Sequence, residues 1–356
     1  MRILLLSHEM TFTGAPNSLL NVARVLRSHR HTVDIYTLKK GTFSAIFNRY
    51  DFDVKVFDDS DLAAENYKVL AQRYDIAICN TVLCGNEALR LQNFLPTILY
   101  LREAENLPDI IRGNNIDESC IRNAENIVCV SEYAAKFIEK TYSPKNVRIL
   151  HNFLIKPHFR TASPNKINGR IRFLIAATVE PRKGIAVAME AFKLLPPDLQ
   201  SQAVLDIYGR TPKWSEYYHK PLLADKYDGI EYHGELTDGK EQMYRNSNVV
   251  LVPSFDESCS LTALEGAMYA RPLIVTENVG AKYLIDRSGF VVKTGSAESL
   301  SKAMSFFIEH KNELETMGYN SYRSFKKHSD KKAYYKGLNQ IFQEVLWKTN
   351  KLQFRS

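Results

Sequence analysis

Residues 248–267 read NVVLVPSFDESCSLTALEGA. The β-branched run up to Val252, closed by Pro253 and Ser254, has the composition of a strand buried on both faces, as in a parallel sheet. From Leu261 apolar residues recur at three- and four-residue steps, and Ser258 or Ser260 stands where a helix N-cap belongs. The stretch is therefore one strand–loop–helix unit. Glu257 falls in the loop, and Glu265, eight positions later, about two turns into the helix. A helix rises about 1.5 Å per residue, so groups eight apart along one helix are roughly 12 Å apart. That is too far for an acid and a base sharing one proton. It suits the two ends of one extended ligand, with the amides of Ser260, Leu261 and Thr262 between them as a seat for phosphate.

The same alternation runs outward from this unit. β-branched runs begin at Arg2, His31, Asp53, Asp75, Thr97, Asn126 and Val147, and again in RFLIAAT, AVLDIYG, IEYHG, RPLIVTE and GFVVKT of the second half. Helical periods sit between them, among them NSLLNVARVLRS, YAAKFIEK after Ser131, and IAVAMEAFKLL. Strands alternating with helices imply right-handed crossovers and parallel sheets with both faces covered. A chain of 356 residues exceeds what one core usually serves. The expected fold is α/β with two Rossmann-like, doubly wound domains: residues 1–155, then a proline-, asparagine- and charge-rich linker at 156–170, then 171–330. A lysine- and tyrosine-rich helix at 331–350 is expected to return to the first domain. Ligands of such folds bind outside the carboxyl ends of the strands, here expected to face a common cleft.

Composition narrows the function classes. With 45% hydrophobic and 24% charged residues the chain reads as an ordinary folded protein. The net charge of +7 favours anionic partners such as nucleotides or an anionic membrane surface. Five cysteines at 79, 84, 120, 129 and 259 lie mostly in apolar runs without a CxxC pair, so they read as core thiols of a reducing cytoplasm. The opening MRILLLSHEM is too short an apolar run for a signal peptide, and no stretch approaches the ~18 apolar residues of a membrane span. GxSxG, HExxH, the P-loop lysine motif and GxGxxG are absent, which argues against serine hydrolase, zincin, P-loop NTPase and dinucleotide oxidoreductase. No aspartate pair at metal-binding spacing appears, so no metal is expected.

ESCSLTALEGA, from Glu257, resembles the glutamate, seven residues, glutamate motif of the retaining GT-B glycosyltransferases of family 4, also called glycosyltransferase group 1; VVLVPSFDES is similar to that family's lead-in. The resemblance implies that Glu257 contacts hydroxyls of the transferred sugar, that the amides of Ser260, Leu261 and Thr262 hold the donor phosphates, and that Glu265 holds the nucleotide ribose. Where the family often has glycine, this chain has Ser260. ATVEPRKGIAVAMEAF, from Ala176, is similar to the family segment whose arginine and lysine grip the diphosphate. Lys183 matches the lysine. Thr178 stands at the arginine position, and Arg182 beside Lys183 is the candidate second cation. TFTGAPNSLLNVARVL resembles the glycine loop that faces the diphosphate, with Gly14 and Ala15 in place of two glycines. LYLREAENL puts Arg102 and Glu103 where many relatives have a histidine, often followed by glutamate, near acceptor and sugar. Tyr208, Gly209 and Arg210 end a strand on the donor side, and HGEL resembles the segment whose backbone near Leu236 meets the base. His8 and His151 sit at strand ends and read as satisfied histidines.

The resemblance implies a retaining, metal-independent hexosyltransferase that uses a nucleotide-diphosphate sugar, with UDP or GDP as carrier. The expected acceptor is a glycan or lipid-linked saccharide of bacterial surface polysaccharide assembly, bound by the first domain while the second binds the donor. The expected place is the cytoplasm, at the inner face of the plasma membrane, and no nucleic-acid partner is expected. Two alternatives stay open: a non-catalytic protein that binds a nucleotide sugar or an anionic membrane, and a GT-B sugar-nucleotide epimerase.

Overall fold

A computed structural model of the chain describes residues 1–57, 64–157, 161–163, 165, 167 and 169–353. It divides into two compact units, Met1–Asn152 with Lys331–Ser356, and Phe153–Asp330.

Among the described residues the first unit holds seven strands: β1 (Arg2–Ser7), β2 (Thr32–Thr37), β3 (Val54–Val56), β4 (Ile76–Asn80), β5 (Thr97–Leu101), β6 (Ile127–Cys129) and β7 (Val147–Ile149). They form one parallel sheet in the order β3-β2-β1-β4-β5-β6-β7. Leu5 of β1 lies opposite Ile35 on one side and Ile78 on the other, so the central strands are covered along both edges. Every residue of β4 and β5 is buried, which is why these segments read as unbroken apolar runs rather than alternating ones. Helix Lys331–Gln353 belongs to this unit. The ring of Tyr335 stacks on His29 with centroids 3.4 Å apart, and Arg148 Nε donates to Glu344 at 2.9 Å.

The second unit has six strands among its described residues: β8 (Ile171–Ala176), β9 (Ala203–Tyr208), β10 (Ile230–Gly234), β11 (Val249–Val252), β12 (Leu273–Thr276) and β13 (Gly289–Val292). Their order is β10-β9-β8-β11-β12-β13, again parallel. Helix Ile185–Lys193 buries Ile185, Ala188, Met189 and Phe192 at helical steps against this sheet's core, each large side chain contributing about 1.5–3 kcal/mol. Both sheets reverse direction between the first and fourth strand of their unit, β1/β4 and β8/β11, and such reversal points open crevices at the carboxyl ends of the strands.

Of the expected linker 156–170, residues 158–160, 164, 166 and 168 lie outside the described residues. The remainder is counted within the second unit. Asn165 Nδ2 donates to the Asn248 carbonyl and its Oδ1 accepts from Asn248 Nδ2, both at 2.8 Å, while Ser163 Oγ accepts from Arg271 at 2.8 Å. Ser163 and Asn165, two of the polar residues that suggested a linker, are thus pairing groups of the second unit. All five cysteines are buried thiols, and burial pushes Cys120 up to about 12. Among the described residues no helix is long and apolar enough to cross a membrane.

Candidate functional site

The loops that follow β8 and β11 are neighbours, because those strands pair in the sheet. Their closeness depends on Gly184, which has a φ of 66° and whose Cβ, were there one, would lie 2.0 Å from the Pro253 carbonyl oxygen. Two bonds then brace loop to loop: Phe255 N–H donates to the Arg182 carbonyl and Arg182 Nη1 to the Asp256 carbonyl, each at 2.8 Å. Within its own loop Arg182 Nη2 reaches Glu180 at 2.9 Å. On this frame Lys183 Nζ donates to Glu257 Oε2, with Arg182 Nη1 3.5 Å from the same oxygen. Lys183 and Glu257 are only 17% and 18% exposed, so their charges interact more strongly than on open surface. The backbone of Glu257 is pinned as well, donating to the Asn278 carbonyl at 3.1 Å and accepting from Gly280 N–H at 2.7 Å.

Three residues further on, Ser260 caps helix Leu261–Met268, its Oγ accepting from Ala263 N–H at 3.2 Å and its carbonyl from Leu264 N–H at 3.3 Å. The cap leaves the Leu261 and Thr262 amides as the donors of the helix start. Thr262 Oγ1 donates to the Ala176 carbonyl at 2.7 Å, which fixes this helix against the end of β8. Because the helix begins at Leu261, Glu265 is its fifth residue, just over one turn in rather than the expected two. Its carboxylate accepts from Tyr244 Oη at 2.7 Å and from Lys240 Nζ. Tyr244 is in turn placed by Arg271, a guanidinium only 1% exposed, which donates to the Tyr244 and Arg245 carbonyls at 2.8 and 3.3 Å. Burial pulls Arg271 down to about 10. The sequence reading did not find Lys240, Tyr244 or Arg271; the one available signal was that Lys240 and Tyr244 lie four apart on a single helix face.

The other residues expected on the donor side fall on the neighbouring strand ends. Ala177 N–H donates to the Tyr208 carbonyl and Val179 N–H to the Arg210 carbonyl, each at 2.9 Å, so Thr178 lies between two rungs that tie the β8 and β9 loops. Gly209 permits this approach, since a Cβ there would stand 1.7 Å from the Ala177 carbonyl oxygen. Tyr208 stacks on His233 with centroids 4.4 Å apart, Arg210 is exposed, and Leu236 is 38% exposed in the turn after β10. Asp206, Glu231 and His233 bring metal-type ligand atoms within 4.8 Å of one another. Arg172 already holds both carboxylates, with Nε and Nη2 at 2.8 and 2.5 Å from Asp206 and Nη2 at 3.2 Å from Glu231, and these partners push its own pKa upward. The Arg172 guanidinium thus already pairs with both carboxylates of this cluster.

In the first unit Gly14 and Ala15 are the first two residues of helix Gly14–Ser28, with open space beside Gly14 and no side-chain cap from Thr13. Asn80 Nδ2 donates to the Ala15 carbonyl at 3.2 Å. Arg102 lies over the Tyr100 ring at 4.4 Å and donates to Asn80 Oδ1 at 2.6 Å and Asn152 Oδ1 at 2.7 Å. Glu103 is buried, accepting from the Arg102 and Val82 amides at 2.8 and 3.4 Å, and burial raises its pKa. His8 sits between Thr81 at 3.3 Å and Glu9 at 3.4 Å, its pKa lowered chiefly by burial, and His151 contacts Glu132 at 3.0 Å. The structure therefore brings Arg182, Lys183 and Glu257 together, gives Glu265 partners of its own, and engages Arg102 and Glu103 with the frame of the first unit.

Residues 159–324 match the family model of glycosyl transferases group 1, and residues 1–94 match that of glycosyl-transferase family 4. The chain is a glycosyltransferase of this family. An uncharacterized glycosyltransferase of Methanocaldococcus jannaschii is 23% identical over 276 residues, 74% of this chain and 72% of that one. The D-inositol 3-phosphate glycosyltransferase of an Arthrobacter species is 28% identical over 180 residues, 48% of this chain and 42% of that protein. A crystal structure of Anabaena HepE in complex with UDP has the same fold, with a TM-score of 0.81 at 17% identity over 97% of this chain and 100% of that one. This family-4 glycosyltransferase thus has the GT-B architecture of two Rossmann-like domains.

Proposed function

We propose that the enzyme moves a hexose-type sugar from a nucleotide-diphosphate donor, UDP or GDP, to a glycan or lipid-linked acceptor with retention of anomeric configuration. One observation carries the reading: Lys183 and Arg182 converge on Glu257 at the reversal point of the second sheet, one loop away from the free amides at the start of helix Leu261–Met268. A likeness in fold to a protein that binds UDP supports the choice of ligand.

In this reading the diphosphate gains negative charge as the glycosidic bond breaks, and Lys183 with the Leu261 and Thr262 amides stabilises that charge. Arg182, held by Glu180 and the Asp256 carbonyl, keeps the Glu257 loop in place. When phosphate takes up Lys183, the Glu257 carboxylate is released to accept from sugar hydroxyls. Glu265, aimed by Tyr244, takes the ribose, and the backbone near Leu236 takes the base. The first unit holds the acceptor near Gly14 and Arg102. Surface polysaccharide assembly at the inner face of the membrane is placed on the family resemblance and the +7 charge. The cationic work falls to side chains and amides, so turnover is expected to persist in a chelator.

The deciding experiment incubates the enzyme with UDP-, GDP-, ADP- and dTDP-sugars, with and without saccharide acceptors, in the presence of EDTA. Release of one nucleotide diphosphate, with the product linkage keeping the donor's anomeric form by NMR, is the expected result. Inversion of the linkage, or loss of turnover on chelation, overturns the corresponding part. Conversion of the donor without any acceptor makes the enzyme an epimerase instead.

A further inference from the structure

The second unit carries a cavity of about 870 Å³ apart from the donor loops. One side is the outward face of helix Glu313–His328, and the other is the turn at Asp286 and Arg287 that leads into β13. That turn lies at the amino edge of the strands, whereas Lys183 and Glu257 follow the carboxyl ends of β8 and β11.

The helix turns Leu314, Gly318, Ser321 and Phe325 inward, at helical steps. Its other face gives the cavity Tyr319, Tyr322, Arg323 and Lys327, with Lys326 alongside and bonded to Asp330. Arg287 meets them from the turn with a φ of 53°, a left-handed conformation that is strained for a residue with a side chain. Two bonds hold the turn on the helix: Asn320 Nδ2 donates to the Arg287 carbonyl at 3.0 Å, and Ser321 Oγ to the Ser288 carbonyl at 3.3 Å. Tyr322 Oη accepts from Lys156 Nζ at 2.5 Å. Among the described residues no carboxylate pairs with Arg287, Arg323 or Lys327, and Asp286 is the acid of the lining. Cations in a last helical turn offset the helix dipole on their own account, which covers Lys326 and Lys327. It does not account for an arginine held in a left-handed turn on a separate element.

We propose that this cavity is a second anion site, which takes a phosphate-bearing ligand on Arg287, Arg323 and Lys327. Guanidinium forks match pairs of phosphate oxygens, and the volume is that of a small-ligand pocket, about 300–1,000 Å³. The phosphate comes from a soluble compound or from the headgroup of an anionic lipid. The site is independent of the donor reading above.

The test titrates inorganic pyrophosphate into the full chain by calorimetry, and separately sediments the chain with vesicles of phosphatidylglycerol or of phosphatidylcholine. Each is repeated with Arg287→Ala/Arg323→Ala, and with Lys183→Ala to remove binding at the donor loops. Pyrophosphate binding that survives Lys183→Ala and weakens about tenfold or more in the double variant assigns the cavity to a soluble ligand. Binding to phosphatidylglycerol alone, lost in the same double variant, assigns it to a lipid headgroup. Unchanged binding of both probes in a double variant with wild-type Tm overturns the proposal. Should Arg287→Ala disturb the turn, Arg323→Ala/Lys327→Ala repeats the test from the exposed helix face.

Discussion

The two units build the same corner in different ways. In each, a strand beside the unit's first strand leads to a hydroxyl residue with positive φ that caps the next helical turn. Thr81, at φ 78°, accepts from Leu83 N–H at 3.2 Å after β4, and Ser260, at φ 90°, accepts from Ala263 N–H at 3.2 Å after β11. Thr81 follows the last residue of β4 directly, whereas residues 253–259 intervene between β11 and Ser260. That excursion carries Glu257 over to Lys183. The charges are also used differently. In the first unit Arg102 is bonded to Asn80 and Asn152 and Glu103 is sunk on backbone amides, so both act on the frame. In the second, Lys183 and Glu257 hold each other and each keeps part of its side chain open to solvent. The topology supplies the position, and the length of one loop supplies the chemistry.

The contrast is broken most directly by truncating one cation in each unit. On the proposed function, Lys183→Ala removes a charge-assisted hydrogen bond to the leaving diphosphate, about 1.5–3 kcal/mol, so kcat/KM is expected to fall roughly tenfold to a hundredfold with Tm little changed. Arg102→Ala leaves Asn80 and Asn152 without a shared donor and is expected to cost about 2 kcal/mol of stability. For a unit of this size that is a fall in Tm of several degrees. Steady-state kinetics and calorimetry on both variants decide the matter. If Arg102→Ala melts like wild type yet abolishes turnover, Arg102 acts on substrate and the division of labour drawn here is wrong.

A smaller effect sharpens the same point at Glu103. Burial raises its folded pKa above the ordinary 4.5. Its contribution to stability is therefore fully present below that value and is lost as pH rises through the raised one. Glu103→Gln keeps an oxygen for the Arg102 amide but cannot ionise. The Tm of the variant relative to wild type is expected to climb between pH 4.5 and neutrality. A Tm difference that is flat over this window means that the carboxyl ionises in the fold at no greater cost than in the unfolded chain.

How much of this was legible in the sequence follows from how each feature is built. The central strands of both sheets were readable because burial on both faces writes a continuous apolar run, as DIAICN does for β4 and VVLV for β11. The motif after β11 was readable because Glu257, Ser260 and Glu265 share one uninterrupted segment. What was missed comes from long-range pairing. Tyr244 reaches Glu265 from another helix, Arg102 finds Asn80 and Asn152 from separate strand ends, and Asn165 finds Asn248 across eighty-three positions. Composition shows that a residue is polar but not where its partner stands, so the segment 156–170 read as a linker.

Ser260 yields the smallest effect. A side chain at φ 90° costs of order 1–3 kcal/mol of backbone strain, while its Oγ returns about 1 kcal/mol by capping Ala263. Ser260→Gly relieves the strain and gives up only a few tenths of the cap, so Tm is expected to rise by a few degrees. Ser260→Ala keeps the strain and loses the cap, so Tm is expected to fall by a similar amount. Neither exchange removes the Leu261 and Thr262 amides, and kcat/KM should stay within about twofold of wild type in both. Were Ser260→Gly to lose activity while gaining stability, the hydroxyl itself would touch the ligand, and the segment after β11 would contribute this side chain as well as Glu257 and a helix start.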